Sequence, residues 1–311
     1  MGIASAGRSD RHRPLNLIVV GLSSALVLTA SMSLTPRATA QSEGSKGPTE
    51  SPPQVASRSN SVTKPPTMLS PITPGSESLV EEPTAKAIRM IGECKVKLAS
   101  VQDYTCTFHK RERINGRLTT PHVMAFKSRL APKSFYFKFQ HPKTGREAIF
   151  VAGRNSNKVV AHDVGLGKFL AGTLHLDPLG SMAMEDNRHP ITEAGLGNLI
   201  ENVYRRWNAE LKPEESLLKF HPSMQVGTRV CTMIESVHPQ KSPKYLFHMV
   251  RLYIDHENGL PIRFEAYDWP RSKGVVPELM EEYTYLDLKL NVGLTDMDFD
   301  PANAGYAYGR F

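Results

Sequence analysis

The 311-residue chain predicts an α+β domain built on an antiparallel sheet, with helices over one face. Two observations lead there. Period-two alternation recurs in many short runs separated by turn residues, and no helical run interrupts the first five of them. Parallel strands need long crossovers, so strands joined by short turns pair antiparallel. Helical periodicity appears in only two places, which the sheet's apolar side would need as cover.

The first helix is expected from Thr84, a capping residue, through Ala87, Ile88, Met90, Ile91, Cys94, Val96 and Leu98. The pattern then changes to period two. Tyr104, Cys106 and Phe108 share one face, and Asn115-Gly116 supplies a tight hairpin turn. A return strand spans 118–130 and stops at Pro132. From Ser134 to Gln140, Phe135, Phe137 and Phe139 alternate with Tyr136, Lys138 and Gln140. Strands over 147–152 and 158–162 complete a five-strand meander. The segment from Gly165 to His189 is irregular and contains Met182 and Met184. Thr192 opens a second helix over 195–210, with Leu196, Leu199, Ile200, Val203 and Trp207 on its apolar face. Five more strands are expected over 217–221, 229–237, 245–255, 260–268 and 279–291, the third and fourth joined by His256-Glu257-Asn258-Gly259.

The ends set the compartment. Arg8, Arg11 and Arg13 precede an apolar run from Leu17 to Leu34, and Ala38-Thr39-Ala40 follows Pro36. That order is a secretory signal peptide's, so residues 1–40 are expected to be cleaved and the protein to be periplasmic. The alternative is an N-terminal membrane anchor, because the run approaches the length needed to span a bilayer. Residues 41–83, rich in Ser, Pro, Thr and Gly, read as a disordered linker. The folded domain then covers 84–311.

Lys and Arg number 38 against 31 Asp and Glu. Without the leader's four arginines and one aspartate the excess is about four, and it is spread along the chain, which argues against a nucleic-acid partner. Lys110, Arg111 and Arg113, interrupted by Glu112, read as a solvated, ion-paired strand face. Three cysteines are too few for a disulfide scaffold, and none has zinc-ligand spacing. Cys106 and Cys231, both in strand-like runs, are the candidate bridge.

Enzyme signatures are missing: there is no HExxH, GxSxG, Walker-type loop or GxGxxG after a strand. The pairs His162 with Asp163, His175 with Asp177 and His189 with Glu193 have no recognised catalytic spacing, and Gly165-Leu166-Gly167 reads as a turn. No cofactor or metal is expected. Arg188 and His189, just before the second helix, are a candidate anion site; the competing reading has them satisfying backbone carbonyls around the connection.

Several strings resemble known families. LYIDHENGLPIRFEAYDWP, with EEYTYLDLKLNVGLTDMDFD after it, resembles the hairpin and closing strand of lipoprotein-localisation carriers. DYTCTFHKRERINGRL, GREAIFVAG and NRHPITEAGLGNLI resemble an uncharacterised exported bacterial family placed in the same LolA-like superfamily. The likeness covers roughly 83–311 and implies a strongly curved antiparallel sheet, an incomplete β-barrel, with helices covering a concave, apolar face. A lipid or lipoprotein acyl chain is then the expected ligand, held by Phe108, Phe135, Phe137, Phe139, Leu252, Ile254, Ile262 and Phe264, with Met182 and Met184 as an adaptable lid. No residue matches the arginine that controls the carriers' lid. The alternative is an envelope protein-interaction or stress-sensing module with a filled core; a hydrolase using the histidine–acid pairs is the third reading.

Overall fold

A computed structural model describes residues 81–164 and 172–308. The expected signal peptide, almost all of the linker and the Gly165-Leu166-Gly167 turn lie outside them. Among the described residues no helix is long and apolar enough to cross a membrane.

The first helix, α1 (Pro83–Leu98), starts at Glu82 rather than Thr84. The Glu82 carboxylate accepts the Ala85 amide at 3.0 Å, and Pro83 occupies the first helical position, where its missing N–H costs nothing. Ala87, Ile91, Cys94 and Leu98, spaced four, three and four apart, bury one stripe. Val96 falls off that stripe and is 76% exposed, contrary to expectation.

Among the described residues twelve antiparallel strands follow: β1 (Asp103–Ile114), β2 (Arg117–Leu118), β3 (His122–Arg129), β4 (Ser134–His141), β5 (Glu147–Val151), β6 (Val159–His162), β7 (Thr173–Leu176), β8 (Leu217–Val226), β9 (Arg229–Val237), β10 (Met249–Asp255), β11 (Pro261–Tyr267) and β12 (Leu279–Leu290). Their order is β7-β6-β5-β4-β3-β1-β12-β11-β10-β9-β8, with β2 on β1 alone. Two meanders therefore meet where the first long strand pairs with the last, Phe108 opposite Tyr285 and Glu112 opposite Glu281. β7 and β8 end the order without pairing, so the barrel stays open. Register shifts interrupt the β1–β12, β3–β4, β8–β9, β10–β11 and β11–β12 ladders. An extra residue on one strand bends it and strengthens its twist, which curves the sheet.

Two sequence expectations need correction here. Pro121 splits the expected return strand into β2 and β3, because proline cannot donate to a ladder. The 165–189 stretch, expected to be irregular, contains β7, whose Thr173–Leu176 pairs with β6. Four residues are too few for period-two alternation to register in the sequence.

The second long helix, α2 (Gly195–Glu210), lies where expected and buries Leu196, Ile200, Val203 and Trp207. Its start is set by tertiary contact, since no side chain caps it. The buried Tyr104 hydroxyl accepts the Leu196 amide at 2.8 Å. Gly195 is required there: its φ is +87°, and a Cβ would sit 2.7 Å from that hydroxyl. Both helices share one core with the concave faces of the strands, including Phe126, Phe135 and Ile262.

The opposite face is not simply polar. Tyr136, on the β4 face opposite the three phenylalanines, joins Ile149, Val151 and Val160 under Phe299 and Tyr308 of the C-terminal segment. The Tyr308 hydroxyl donates to the Val160 carbonyl at 3.1 Å, and Tyr136 stacks on Tyr306 with centroids 4.1 Å apart. Covering this face lets the strands of the first meander be apolar on both sides.

Candidate functional site

The two helices do not fill the hollow of the sheet. A cavity of about 650 Å³ remains between α2 and the concave face. Phe108 from β1, Phe137 and Phe139 from β4 and Phe264 from β11 border it, with Leu199 and Trp207 of α2 opposite. These four phenylalanines are on the expected list. Three of these rings form a continuous aromatic surface with two tyrosines: Phe108 stands 4.9 Å from Tyr285 and 6.1 Å from both Phe137 and Tyr283, and Phe264 stacks on Tyr283 at 6.1 Å.

The rest of the expected set is placed differently. Phe135, Leu252 and Ile262 are fully packed core residues that do not border the cavity. Ile254 borders only a shallow groove against α1. Met182 reaches the cavity mouth and is 64% exposed, whereas Met184, on the same short helical turn (Ser181–Met184), does not border it.

Cys106 and Cys231 are not bridged; all three cysteines are free and buried. Four strand steps separate β1 from β9. At ~4.8 Å per step along the sheet, that exceeds the ~7 Å Cα separation a disulfide tolerates.

Arg188 and His189 do not make a vacant anion site. The Arg188 guanidinium donates from Nε to Glu281 at 3.1 Å and from Nη1 to the Arg113 carbonyl at 3.0 Å. His189 Nε2 lies 2.9 Å from Glu281, and Nδ1 lies 3.2 Å from Glu193. Their hydrogen bonds are thus already directed at protein acceptors. The hydrogen bond to Glu281 raises the His189 pKa above its usual range, against the opposing pull of burial.

This arrangement belongs to a buried polar network at one end of the cavity that the sequence reading did not foresee. Glu112 is 2% exposed and Glu281 4%. Glu112 accepts from the Tyr283 hydroxyl at 2.6 Å, the Arg188 amide at 2.9 Å and Lys110 Nζ at 3.1 Å. Lys110 also donates to the Asn187 side chain and, at 3.3 Å, to the Asp186 carbonyl. Burial pushes the Glu112 pKa up, but Lys110, Tyr283 and the Arg188 amide outweigh it and hold the carboxyl below its ordinary range. Lys110 and Glu112 are therefore ion-paired as expected but not solvated. The available signal was their spacing: positions 106, 108, 110 and 112 share a strand face, and Cys106 and Phe108 on it are apolar and lie in the core.

Of the histidine–acid pairs, only His189 and Glu193 touch. Asp163 turns to Arg146, which donates at 2.8 and 2.7 Å, and the Asp177 carboxylate accepts the Leu179 amide at 2.8 Å in a local turn. The geometry of the hydrolase reading is not assembled.

The sequence matches the family model described as protein of unknown function (DUF1571) over residues 101–308. The chain belongs to that family. No curated protein matches it. Solved structures similar to this DUF1571 protein include the lipoprotein LppX from Mycobacterium tuberculosis, 11% identical, covering 69% of this chain and 98% of that one with a TM-score of 0.40. A putative outer membrane lipoprotein-sorting protein domain from Vibrio parahaemolyticus is 12% identical, with 70% and 97% covered and a TM-score of 0.31. A LolA superfamily protein from Nitrosomonas europaea is 10% identical, with 68% and 96% covered and a TM-score of 0.27. The superpositions are loose and bear on neither ligand nor partner.

Proposed function

We propose that this DUF1571 protein is an exported binding or carrier-like protein that holds a hydrophobic ligand, a lipid or acyl chain, in the hollow of its sheet. The unfilled volume carries the reading. About 650 Å³ lies within the ~300–1,000 Å³ typical of small-molecule sites. A packed interior leaves few voids larger than a water molecule. The alternative, a protein-interaction or stress-sensing module, calls for a filled core and has no such support.

The leader-like residues 1–40 and the Pro- and Ser-rich 41–83 fit a domain held at a distance in the periplasm. Burial of apolar surface would drive binding, at ~0.8 kcal/mol per methylene. Affinity for unbranched alcohols should therefore rise roughly fourfold per added carbon until the hollow is full.

Two measurements on the full chain test the reading: fluorescence of the uncharged dye phenylnaphthylamine, and native mass spectrometry of protein purified from its own envelope. Enhanced dye emission and a co-purifying lipid mass are expected. Absence of both would remove the ligand-binding reading and leave the interaction module.

A further inference from the structure

Nothing about an apolar hollow says what sort of polar end its guest carries, but the charges around this one do. Each buried charge at the cavity is already matched. Lys110 faces Glu112 at 3.1 Å, and Glu281 sits between Arg188 and His189 at 3.1 and 2.9 Å. Arg146 holds Asp163 at 2.7 Å, Arg206 holds Glu210 at 3.1 Å and Lys143 holds Asp186 at 2.6 Å. Among the described residues, the charges bordering the hollow without an opposite partner are Arg205 and Glu185, both on the exposed rim.

What does stand open is one neutral hydroxyl and one oxygen of a carboxylate whose charge is already paired. Tyr285 is 3% exposed and borders the cavity, and its hydroxyl enters none of the hydrogen bonds among the described residues. That hydroxyl can both donate and accept. Glu281 engages its partners through one oxygen, Oε2, which leaves Oε1 to accept from an O–H or N–H.

We propose that the cavity selects an uncharged amphiphile, one whose enclosed polar group is a hydroxyl, ester or amide, over a free carboxylate or ammonium of the same chain length. This rests on the cavity reading above and specifies its ligand class. An ionised guest would have to displace a partner from an ion pair or remain buried without one, and either costs far more than hydrogen-bonding a hydroxyl. Glu281 and Lys110 are the residues that set the selectivity, because each neutralises a charge that would otherwise recruit an opposite ion.

Competition against phenylnaphthylamine on the full chain at neutral pH tests this, with lauryl alcohol, laurate and laurylammonium as competitors. The alcohol should displace the dye at a concentration lower by about tenfold or more than either ion. Glu281→Gln leaves Arg188 without its carboxylate, while His189 keeps Glu193, and should shift preference toward laurate by about tenfold. Lys110→Met leaves Glu112 uncompensated and should shift it toward laurylammonium by a similar factor. Circular dichroism reports whether each variant folds, and the wild-type ranking decides alone if neither does. Laurate binding as tightly as the alcohol, or folded variants with unchanged ranking, would overturn the proposal. Failure of the dye to bind at all would instead remove the cavity reading.

Discussion

Substituting alanine for Gly195 tests how α2 is held over the cavity. The residue has φ +87°, where a side chain costs ~1–2 kcal/mol. The added methyl would also lie 2.7 Å from the Tyr104 hydroxyl and 3.3 Å from the Phe135 ring. The hydroxyl must then move and release the Leu196 amide it accepts at 2.8 Å, a buried donor whose loss costs ~1–3 kcal/mol. The expected destabilisation is therefore about 3 kcal/mol. Tyr104→Phe alone forfeits only the hydrogen bond, about 1–2 kcal/mol. In the double variant the bond is already broken and the clash relieved, so the two costs should fall short of additivity by about 1–2 kcal/mol. Urea denaturation followed by the fluorescence of Trp207, which is buried on α2, measures all three. Additive energies, or a Gly195→Ala cost below about 1 kcal/mol, would refute this account of the helix start.

Further outcomes follow from the same geometry. Leu199→Trp places extra volume in the hollow from the α2 side, so dye affinity should drop by about tenfold or more while stability changes by less than about 1 kcal/mol; intact binding would mean the dye sits elsewhere. His122, with Nδ1 buried and unpartnered, is depressed to about 4 by burial and then by Lys110. It stays neutral in the folded protein while the unfolded chain takes up a proton near ~6.5, so its contribution is present above that value and lost as pH falls toward 4. His122→Gln should therefore lessen the loss of stability between about pH 8 and 5 by something on the order of 1 kcal/mol, measured by urea titration at each pH. Burial raises Cys94 to about 12 and Cys231 to about 11, and pushes Cys106 up as well. A thiol-reactive chromogen should label none of the three cysteines in the native protein and all of them in denaturant without reductant, whereas two titratable thiols lost to a bridge would contradict the structure.

Much of this architecture was legible because strand and helix signals are local. The Asn115-Gly116 turn, the Phe135–Phe139 alternation and the Gly195–Glu210 helix depend on neighbours within a few residues, and each falls where the pattern placed it. The α+β class and the four phenylalanines of the cavity wall follow from the same period-two bookkeeping. Errors arose where one face had two possible surroundings. Tyr136 alternates like a solvent-facing residue, yet the C-terminal segment arrives some 170 positions later to cover it. Lys110 and Glu112 carry charge, so sequence alone put them in water.

The sequence by itself determined which side chains face together along each strand, because the pleat has a fixed period of two. Only the tertiary structure decided what each face meets. Pairing β1 with β12 sets Glu112 against Glu281, and the chain from Asp186 to His189 supplies the cations and donors that make two opposed buried carboxylates tolerable. Whether the hollow is filled is likewise a matter of how far α2 stands from the sheet. That distance is set by Tyr104, Gly195 and the bend of the sheet, and pairings between residues so far apart in the chain leave no periodic trace in it.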